Sequence, residues 1–304
     1  MILLTTPTGD IGARVLDRLL NTGAPVRVIV RDPSRLPPDV RSRVDLVRGS
    51  HSDAATIGAA LDGVDRVFWL PPGDPTAADA HAAYVTFSKP FAEALPASDV
   101  THVVGISAVG RGWAKPAGLA SASVVMDDLI AATGVAYGAL ACASLMDNLM
   151  RQIEVIRDGA FYAPTPGDLP LPHVAKADVA AVAARLLLSP DWTGFEDIPL
   201  HGPQEVSFDE IASILSDILG HPVAFREMSM DAFSAMLRSI GTSEGMIRDY
   251  TLMMTEKNEG MDTPHPGTSR DDTPTSFRTW AERELRPAIL NHTRHLAPND
   301  EELS

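Results

Sequence analysis

Short apolar runs and longer amphipathic segments alternate along the first half of the chain. The short β-branched runs predict strands, and apolar residues that recur every three or four positions predict helices. The predicted strands are Ile2–Thr5, Val26–Val30, Val44–Val47, Arg66–Leu70, Thr101–Ile106 and Val135–Leu140. The predicted helices between them are Ile11–Leu20, Ala54–Leu61, Ala77–Leu95 and Ser121–Ala132, and Pro90 should kink the third. This alternation is typical of an α/β protein with a Rossmann-like, doubly wound parallel sheet.

The second half of the chain has fewer strand patterns and more helical ones. Helices are predicted at Leu145–Ile156, Asp178–Leu187, Ser207–Leu219, Asp231–Ile240, Gly245–Glu256 and Phe277–Leu290. The proline-rich segment Pro164–Pro172 favours a loop or an edge strand, and His221–Glu227 predicts one more strand. We therefore expect two parts. Residues 1–152 with 177–201 form the Rossmann domain, and residues 153–176 with 202–304 form a smaller C-terminal α/β part.

The charge of the chain narrows the classes of partner. Its 304 residues include 25 Lys and Arg against 40 Asp and Glu, which gives a formal net charge of −15. So acidic a surface repels phosphate backbones and anionic lipid, and we expect neither nucleic acid nor a membrane as a partner. The single cysteine, Cys142, excludes an intrachain disulfide and a cysteine-based zinc site, and we predict no metal site. No leader or membrane-spanning pattern is visible, so we expect a cytoplasmic monomer or homodimer.

The strongest chemical signal lies between the first predicted strand and the first predicted helix. There the chain reads Thr6-Pro7-Thr8-Gly9-Asp10-Ile11-Gly12. A dinucleotide pyrophosphate needs a tight turn, a position without a side chain and a helix N-terminus directed at it. Gly9 and Gly12 fit the second and third glycine positions of such a loop.

Thr6 occupies the first glycine position. We expect this loop to avoid glycine torsions there, because Pro7 also biases Thr6 toward extended backbone. The hydroxyls of Thr6 and Thr8 are then candidates to bind phosphate oxygens. The alternative is an ordinary glycine-containing turn between a strand and a helix.

The end of the second predicted strand bears on which dinucleotide binds. Arg31-Asp32-Pro33-Ser34-Arg35 follows that strand. At this point of the fold an acid holds the ribose 2′-hydroxyl of NAD, whereas arginine holds the 2′-phosphate of NADP. Arg31 and Arg35 therefore favour NADP. Asp32 leaves NAD as the alternative, or serves only as a cap on the next turn.

Several segments, taken together, resemble a known family. They are Thr5–Gly12, Val26–Arg35, Arg48-Gly49-Ser50, Val67–Pro72, Val103–Ser107, Thr133–Tyr137, Leu145–Asn148, Ala177–Ala180, His201-Gly202-Pro203 and Phe208–Ala212. Their order and spacing are similar to those of the NmrA-like atypical short-chain dehydrogenase/reductases. That group includes type 2 NAD(P)H:quinone oxidoreductases and NADP-sensing regulators. The resemblance implies that the first domain binds NADP and that the smaller part binds the substrate.

The resemblance and the loop pattern together give a set of candidate cofactor contacts. They are Thr6, Thr8, Gly9, Asp10, Ile11 and Gly12 at the phosphates, Arg31 and Arg35 at the 2′-phosphate, Ser50 and His51 near the adenine, and Pro71, Pro72, Ser107 and Ala143 on the nicotinamide side. Besides Thr6, two positions depart from the family pattern. Ser50 replaces the usual acid after the third strand, and Ala141-Cys142 replaces the usual Arg-Pro after the sixth.

Proton donation is the least defined part of the predicted chemistry. A typical short-chain dehydrogenase uses a tyrosine as proton donor and a lysine four residues later, but no tyrosine here is followed by lysine at that spacing. Leu119 and Ser123 stand where the resemblance would place the pair. The catalytic candidate is His173, as a general acid or oxyanion donor, because the resemblance returns its segment to the pocket. A loop histidine bonded to the backbone is the alternative.

The sequence leaves three hypotheses for function. The leading one is an NADP(H)-dependent reductase of a quinone-like or aromatic carbonyl substrate, with natural-product tailoring as one role. A quinone is electrophilic and its oxyanion is stabilised by conjugation, so hydride transfer to it needs less assistance from the protein. The second hypothesis is a non-catalytic NADP-sensing regulator that binds a protein partner. The third is an oxygen-using or non-redox tailoring enzyme on the same fold.

Overall fold

The computed structural model describes residues 1–263 and 270–296, with side chains described as far as residue 291. The strands are β1 (Ile2–Leu4), β2 (Val26–Val30), β3 (Asp45–Arg48), β4 (Arg66–Trp69), β5 (His102–Ala108), β6 (Ala136–Cys142), β7 (Ser144–Leu145), β8 (Ala160–Ala163), β9 (Leu171–Val174), β10 (Phe195–Leu200), β11 (Glu205–Val206) and β12 (Ala224–Glu227). The helices are α1 (Asp10–Asn21), α2 (Pro38–Arg41), α3 (Ala54–Leu61), α4 (Phe87–Ala94), α5 (Leu119–Ala131), α6 (Ile153–Arg157), α7 (Lys176–Leu188), α8 (Phe208–Leu219), α9 (Met230–Ser239), α10 (Glu244–Asn258), α11 (Phe277–Trp280) and α12 (Arg286–Leu296). The remainder of the predicted C-terminal part lies outside the described residues.

Seven strands form one parallel sheet in the order β3-β2-β1-β4-β5-β6-β10. Ile2 in β1 lies opposite Val26 in β2 on one side and Arg66 in β4 on the other. The strand order reverses between β1 and β4, and open α/β sheets bind ligands at the carboxyl edge beside such a reversal. All six predicted strands of the first half are present, so the predicted Rossmann-like parallel sheet is confirmed.

The seventh strand of this sheet, β10, is not predicted by the sequence pattern. Its sequence begins with Phe195-Glu196-Asp197 and contains Pro199, which is untypical of a buried strand. In the structure β10 pairs only with β6, at the edge of the sheet. An edge position tolerates proline because one side of the strand has no ladder to complete.

Helices cover both faces of the sheet. On one face α1 and α7 pack through residues such as Val15 and Val179. On the other face α3, α4 and α5 contribute Ile57, Phe91 and Met126 to a second core. The sheet is therefore buried on both faces, as its near-continuous apolar strands require.

The helix that contains Pro90 starts later than its predicted beginning at Ala77. Pro90 lies inside α4, and the turn before it, Ala82–Thr86, is a wide π-type turn. A proline lacks the N–H that would bond the carbonyl four residues earlier. The widened turn lies next to this missing bond, so the irregularity expected from Pro90 occurs just before it.

The smaller C-terminal part has its own apolar core. Phe161, Ile211 and Trp280 are fully buried there. The helix α8 begins with the expected capping box, in which the Ser207 side chain accepts from the N–H of Glu210 and the Glu210 side chain accepts from that of Ser207. The exact boundaries between the two parts stay a prediction.

One expectation for this region is wrong. The predicted helix Leu145–Ile156 is a short strand, β7, followed by the 3₁₀ segment Met146–Gln152 and the short helix α6. The segment Pro164–Pro172 is a loop as far as residue 170, as predicted, and its last two residues begin β9. All four residues of β9 are buried, and β9 lies between β11 and β7.

Membrane-spanning helices and metal clusters are both absent from the described residues. No helix in residues 1–263 and 270–296 is long and apolar enough to cross a membrane. Within the same ranges, no group of three or more His, Cys, Asp or Glu side chains is arranged to hold a metal ion.

Candidate cofactor and acceptor site

The end of β1 is fixed to the end of β4 by a buried threonine. The Thr5 Oγ1 atom accepts from the N–H of Leu70 at 2.9 Å and lies 3.1 Å from the carbonyl oxygen of Phe68, to which it donates. Because Thr5 comes directly before the loop, these bonds set where the loop begins at the carboxyl edge of the sheet.

Thr6 adopts the left-handed conformation, with φ at +51°, and among the described residues it is the only non-glycine residue with a positive φ. The expectation of a loop without glycine torsions is therefore wrong. A left-handed conformation costs a non-glycine residue about 1–2 kcal/mol. The loop accepts this cost because the Thr6 carbonyl, turned in this way, accepts from the N–H of Gly9 at 3.0 Å.

Gly12 is held against the same carbonyl. A Cβ atom at Gly12 would stand 2.1 Å from the Thr6 oxygen, whereas one at Gly9 would stand at an ordinary 3.4 Å. Gly12 thus serves close packing of α1 against the loop, which is the third glycine role. The Thr6 hydroxyl is buried and has no hydrogen-bond partner, while Thr8 is exposed. Of the two threonine hydroxyls, that of Thr8 is placed to meet a phosphate.

The N-terminus of α1 is open to an anion. Its N-cap, Gly9, provides no side-chain acceptor for the first-turn N–H groups, which leaves them available to phosphate oxygens. Lys176 donates to the Asp10 carboxylate at 2.6 Å in this turn and lowers the pKa of Asp10 below its ordinary value. Arg14 and Arg151 add to that effect. Sequence reasoning misses Lys176, although it is one of only four lysines in the chain.

Arg31 and Arg35 are both exposed just beyond the end of β2, and Arg48 lies exposed at the end of β3. Among the described residues these three arginines form no ion pair. Asp32 is occupied otherwise, because its carboxylate accepts from the N–H of Ser34 at 3.0 Å and from its hydroxyl at 2.7 Å. Ser34 thereby lowers the pKa of Asp32, and Arg48 and Arg35 lower it further. Asp32 therefore acts as the cap of the next turn, one of the two roles left open for it.

The two residues expected near the adenine differ in exposure. The Ser50 hydroxyl is 2.9 Å from that of Ser52 in the turn after β3. His51 is buried, donates from Nε2 to the Leu70 carbonyl at 3.2 Å and packs edge-on against Phe87. Burial lowers the pKa of His51 to about 4, so its ring is neutral at pH 7. His51 therefore acts as a neutral packing residue below the turn that follows β3.

The four residues expected on the nicotinamide side follow or end neighbouring strands. Pro71 and Pro72 follow β4, Ser107 lies near the end of β5, and Ala143 follows β6. Because the strands are parallel, all four residues lie at the same edge of the sheet as the α1 loop. Cys142 is buried, which raises the pKa of its thiol to about 12, so it serves as a small apolar residue.

A buried polar cluster lies behind Ser107. The Ser107 hydroxyl donates to Asp127 Oδ2 at 2.5 Å, and the Tyr137 hydroxyl donates to Oδ1 at 2.6 Å. Ser123, the residue at the expected lysine position, has its hydroxyl 3.2 Å from that of Ser107. Burial raises the pKa of Asp127 to about 6 despite these bonds. The sequence offers only one signal for this cluster, the acid at the end of an apolar helical face.

His173 lies in β9 and is buried. Its Nδ1 atom donates to the carbonyl of Leu171 at 2.9 Å, and burial lowers its pKa to about 4. A neutral ring that donates from Nδ1 has an unprotonated Nε2, which accepts but does not donate. These features favour a backbone-bonded structural histidine over a general acid at pH 7.

A buried lysine of α10 reaches the same region. Lys257 forms an ion pair with the buried carboxylate of Asp262 and donates to the Ser144 hydroxyl at 3.3 Å. Ser144 in β7 is the strand partner of His173. Sequence reasoning misses Lys257, because nothing in the helical pattern of α10 distinguishes it from a surface lysine.

The helix α10 packs closely against the backbone of the segments that follow β4 and β5. A Cβ at Gly245 would stand 1.8 Å from the Ala78 oxygen, and one at Gly118 would stand 1.9 Å from the Asp249 oxygen. The Asp249 carboxylate also accepts from the N–H of Ala80 at 2.8 Å. The helix α10 is thereby attached to the segments that follow β4 and β5, the two strands at whose ends Pro71, Pro72 and Ser107 lie.

Residues 7–190 match a family described as NAD(P)H-binding. This chain belongs to that family. The predicted resemblance to the NmrA-like reductases is confirmed, and the cofactor of the family is NAD(P)H.

Two relatives that align with most of the chain are reductases. The (4-alkanoyl-5-oxo-2,5-dihydrofuran-3-yl)methyl phosphate reductase of Streptomyces griseus is 33% identical over 76% of this chain and 78% of its own length. The NAD(P)H azoreductase of Xenophilus azovorans is 28% identical over 81% of this chain and 83% of its own. The chain is thus a member of a group of NAD(P)H-dependent oxidoreductases.

Solved structures share the fold across nearly the whole chain. The NADPH-dependent quinone oxidoreductase of Escherichia coli, solved with NADPH, superposes with a TM-score of 0.76 at 21% identity, covering 96% of this chain and 100% of that one. The negative transcriptional regulator NmrA, solved with NADP, gives 0.73 at 14% identity, covering 96% and 97%. Both likenesses extend the common fold into the smaller C-terminal part.

Proposed function

We propose that this protein reduces a small, conjugated aromatic acceptor, such as a quinone or an aromatic carbonyl, with NADPH as the hydride donor. The proposal that a dinucleotide binds rests on the geometry of the loop before α1. There the Thr6 carbonyl occupies space that is free only because residue 12 is a glycine. This cradle, the uncapped first turn of α1 and Lys176 fit a pyrophosphate. When bound, the dinucleotide supplies a hydride from its nicotinamide ring.

The preference for NADPH over NADH rests on the end of β2. Asp32 is committed to Ser34, and Arg31 and Arg35 present charge with no ion-pair partner among the described residues. Guanidinium groups bind phosphate through charge-assisted bonds. We expect Arg31→Ala to weaken NADPH binding by about 1.5–3 kcal/mol and to leave NADH binding unchanged. Titration calorimetry with both dinucleotides checks this, and equal affinities in the native protein would contradict the preference.

The choice of a conjugated acceptor rests on the residues at the positions where the family resemblance implies a proton donor. Leu119 and Ser123 stand at the positions of the usual tyrosine and lysine, and His173 is a neutral acceptor rather than an acid. A quinone or azo compound delocalises the charge that hydride addition creates, so it depends less on a strong proton donor. The relatives include an azoreductase and a quinone oxidoreductase, which supports this class.

The test is a steady-state assay of NADPH oxidation against simple quinones, polycyclic aromatic quinones, azo dyes and unconjugated ketones. We expect turnover with one of the conjugated classes and none with the ketones. Turnover of polycyclic quinones would support a natural-product tailoring role. Tight NADPH binding with no turnover in any class would favour the second candidate, an NADP-sensing regulator, which the missing tyrosine and lysine also fit.

A further inference from the structure

A fully buried carboxylate in the first domain has no part in the cofactor contacts. Asp127 lies on α5 with none of its surface exposed. Its helix neighbours Met126 and Ile130 are packed into the apolar core, so an apolar residue would satisfy packing at this position. Burying a charged group costs free energy unless it is bonded on every side. The position therefore requires an explanation other than packing.

The surrounding residues are arranged to keep Asp127 bonded. Tyr137 reaches it from β6 because Gly105 in β5 leaves the necessary space, and a Cβ at Gly105 would stand 2.2 Å from the tyrosine hydroxyl. The distances of 2.5 Å from Ser107 and 2.6 Å from Tyr137 are those of charge-assisted O–H···O⁻ bonds. Side chains from two strands, β5 and β6, thus bind a single carboxylate that α5 carries.

The charged groups around Asp127 are few and come from identified elements. Arg111, in the loop after β5, is 3.9 Å from its Oδ2 atom but donates to Asp128 at 2.8 Å and pairs with Asp197 of β10 at 3.4 Å. Burial raises the pKa of Asp127 to about 6; Ser107, Tyr137 and Arg111 lower it, and Asp197 raises it slightly. An acid that titrates near the working pH both gives and regains protons readily.

Ser107 connects this acid to the candidate acceptor pocket. Ser107 is 6% exposed, compared with 2% for Ser123 and 0% for Asp127 and Tyr137, and it lies near the end of β5 where the nicotinamide side is expected. When Asp127 is ionised, the Ser107 hydroxyl donates to it. When Asp127 is protonated, the bond reverses and the serine proton is free to point elsewhere.

We propose that Asp127 is a positioning residue that supplies the proton of the reduction through the Ser107 hydroxyl. Once hydride addition has left an anionic oxygen or nitrogen on the acceptor, Ser107 gives that atom its proton and takes one from Asp127. The new O–H or N–H bond forms as the Asp127 O–H bond breaks, and the Asp127 carboxylate regains a proton from water through Ser107. This relay replaces the missing tyrosine and lysine, and it rests on the reductase function proposed above.

The decisive variant is Asp127→Asn, which keeps the shape and can still bond to both hydroxyls but cannot release a proton at neutral pH. In the native enzyme kcat should fall as pH rises through about 6, because the relay needs protonated Asp127. In the variant, kcat should no longer depend on pH in this range. At pH 6 it should be lower than in the native enzyme by about tenfold or more, with KM little changed. Ser107→Ala should show the same loss, and the double variant should lose no more than either single one.

Two controls separate the relay from a structural effect. Glu93→Gln removes an exposed carboxylate on α4 that pairs with Lys89 rather than with any group of the Asp127 cluster, and it should leave the pH profile unchanged. Tyr137→Phe removes a bond that stabilises ionised Asp127, so it should move the falling limb of the profile to higher pH. Carboxyl ¹³C NMR of the cofactor-free protein should show a resonance that titrates near pH 6 and is lost in Asp127→Asn.

Three results would overturn the relay. A native pH profile retained in Asp127→Asn would show that the carboxylate gives no proton, while the reductase function would stand. A carboxyl resonance that titrates near pH 4 would show that the group is ionised throughout. An enzyme with no turnover on any acceptor would remove the reductase function and the relay together.

Discussion

The two ends of the candidate site hold their charges in different ways. At the adenine end Arg31, Arg35 and Arg48 stand exposed around the end of β2, while the acid among them is engaged in a cap. At the acceptor end the ionisable group, Asp127, is sealed between two strands and a helix. Exposed cations suit recognition of a ligand that brings its own negative charge. A buried acid suits proton transfer, because its pKa is set by the protein rather than by water.

The largest expected effect concerns the phosphate loop that joins the two ends. In Gly12→Ala the new Cβ would meet a backbone oxygen at 2.1 Å, so the loop must move. We expect dinucleotide affinity to fall more than a hundredfold, with a loss of about 2 kcal/mol in the free energy of unfolding. Fluorescence titration and denaturant unfolding measure the two quantities.

The matched variant is Gly9→Val. Its Cβ has room at 3.4 Å from the Thr6 oxygen, so folding should be little changed while the side chain blocks the pyrophosphate. Unchanged affinity in a folded Gly9→Val protein would show that the loop is only a turn between a strand and a helix.

The next effect tests the acceptor end through stability rather than activity. The pKa of Asp127 in the folded protein, about 6, lies above its unfolded value of 3.8. The stability that protonated Asp127 adds to the folded state is therefore fully present below pH 4 and is lost as pH rises through 6. The difference corresponds to about 3 kcal/mol. We expect Asp127→Asn to gain this amount relative to the native protein between pH 4 and pH 7.5, measured by urea unfolding. A constant difference across that range would contradict the raised pKa.

The adenine end should respond to pH with the opposite sign. Burial lowers the pKa of His51 from 6.5 to about 4, so the stability it contributes is present above pH 6.5 and is lost as pH falls toward 4. Between pH 7.5 and 5 this loss is about 2 kcal/mol. His51→Leu should unfold with that much less dependence on pH over the same range. An identical slope in both proteins would mean that the ring is accessible to protons in the folded state.

The smallest effects are expected at the tyrosines. Tyr84 is partly buried, desolvation raises its pKa to about 12, and no tyrosine is followed by a lysine four residues later. We therefore expect none of these tyrosines to act as the proton donor. The variants Tyr84→Phe, Tyr162→Phe and Tyr250→Phe should each change kcat by less than about threefold, a difference under about 0.7 kcal/mol. A hundredfold loss in any of them would move the chemistry away from the cluster at Ser107.

The sequence predicts the sheet well because its strands bury both faces and appear as short, mostly apolar runs, as in Ile2–Leu4. It fails at β10, where acids and Pro199 are tolerated only because the strand is at the edge. It also fails at Thr6, where local preference favours an extended backbone and the bond from Gly9 overrides it. Local patterns describe each segment alone, and these two positions are decided by neighbours.

The candidate site divides in the same way. The loop glycines, Arg31 and Arg35 can be located from the sequence because they lie within one βαβ unit. Lys176 reaches Asp10 across 166 positions of the chain, and Tyr137 and Ser107 meet Asp127 only once β5, β6 and α5 are assembled. Residues that pair in this way are separated by no characteristic spacing, so a single sequence does not reveal them.

The attachment of α10 has a consequence for the order of folding. The Ser243 hydroxyl donates to the Ala77 carbonyl 166 positions earlier, and the Asp249 carboxylate accepts from Ala80 169 positions earlier. Contacts this distant in the chain form late, because a long loop must close before they contribute. The β1–α1–β2 unit closes over only a few dozen residues. A growing or refolding chain should therefore acquire a dinucleotide-binding surface before it can enclose an acceptor, and the dinucleotide is then available to stabilise the first domain while α10 docks.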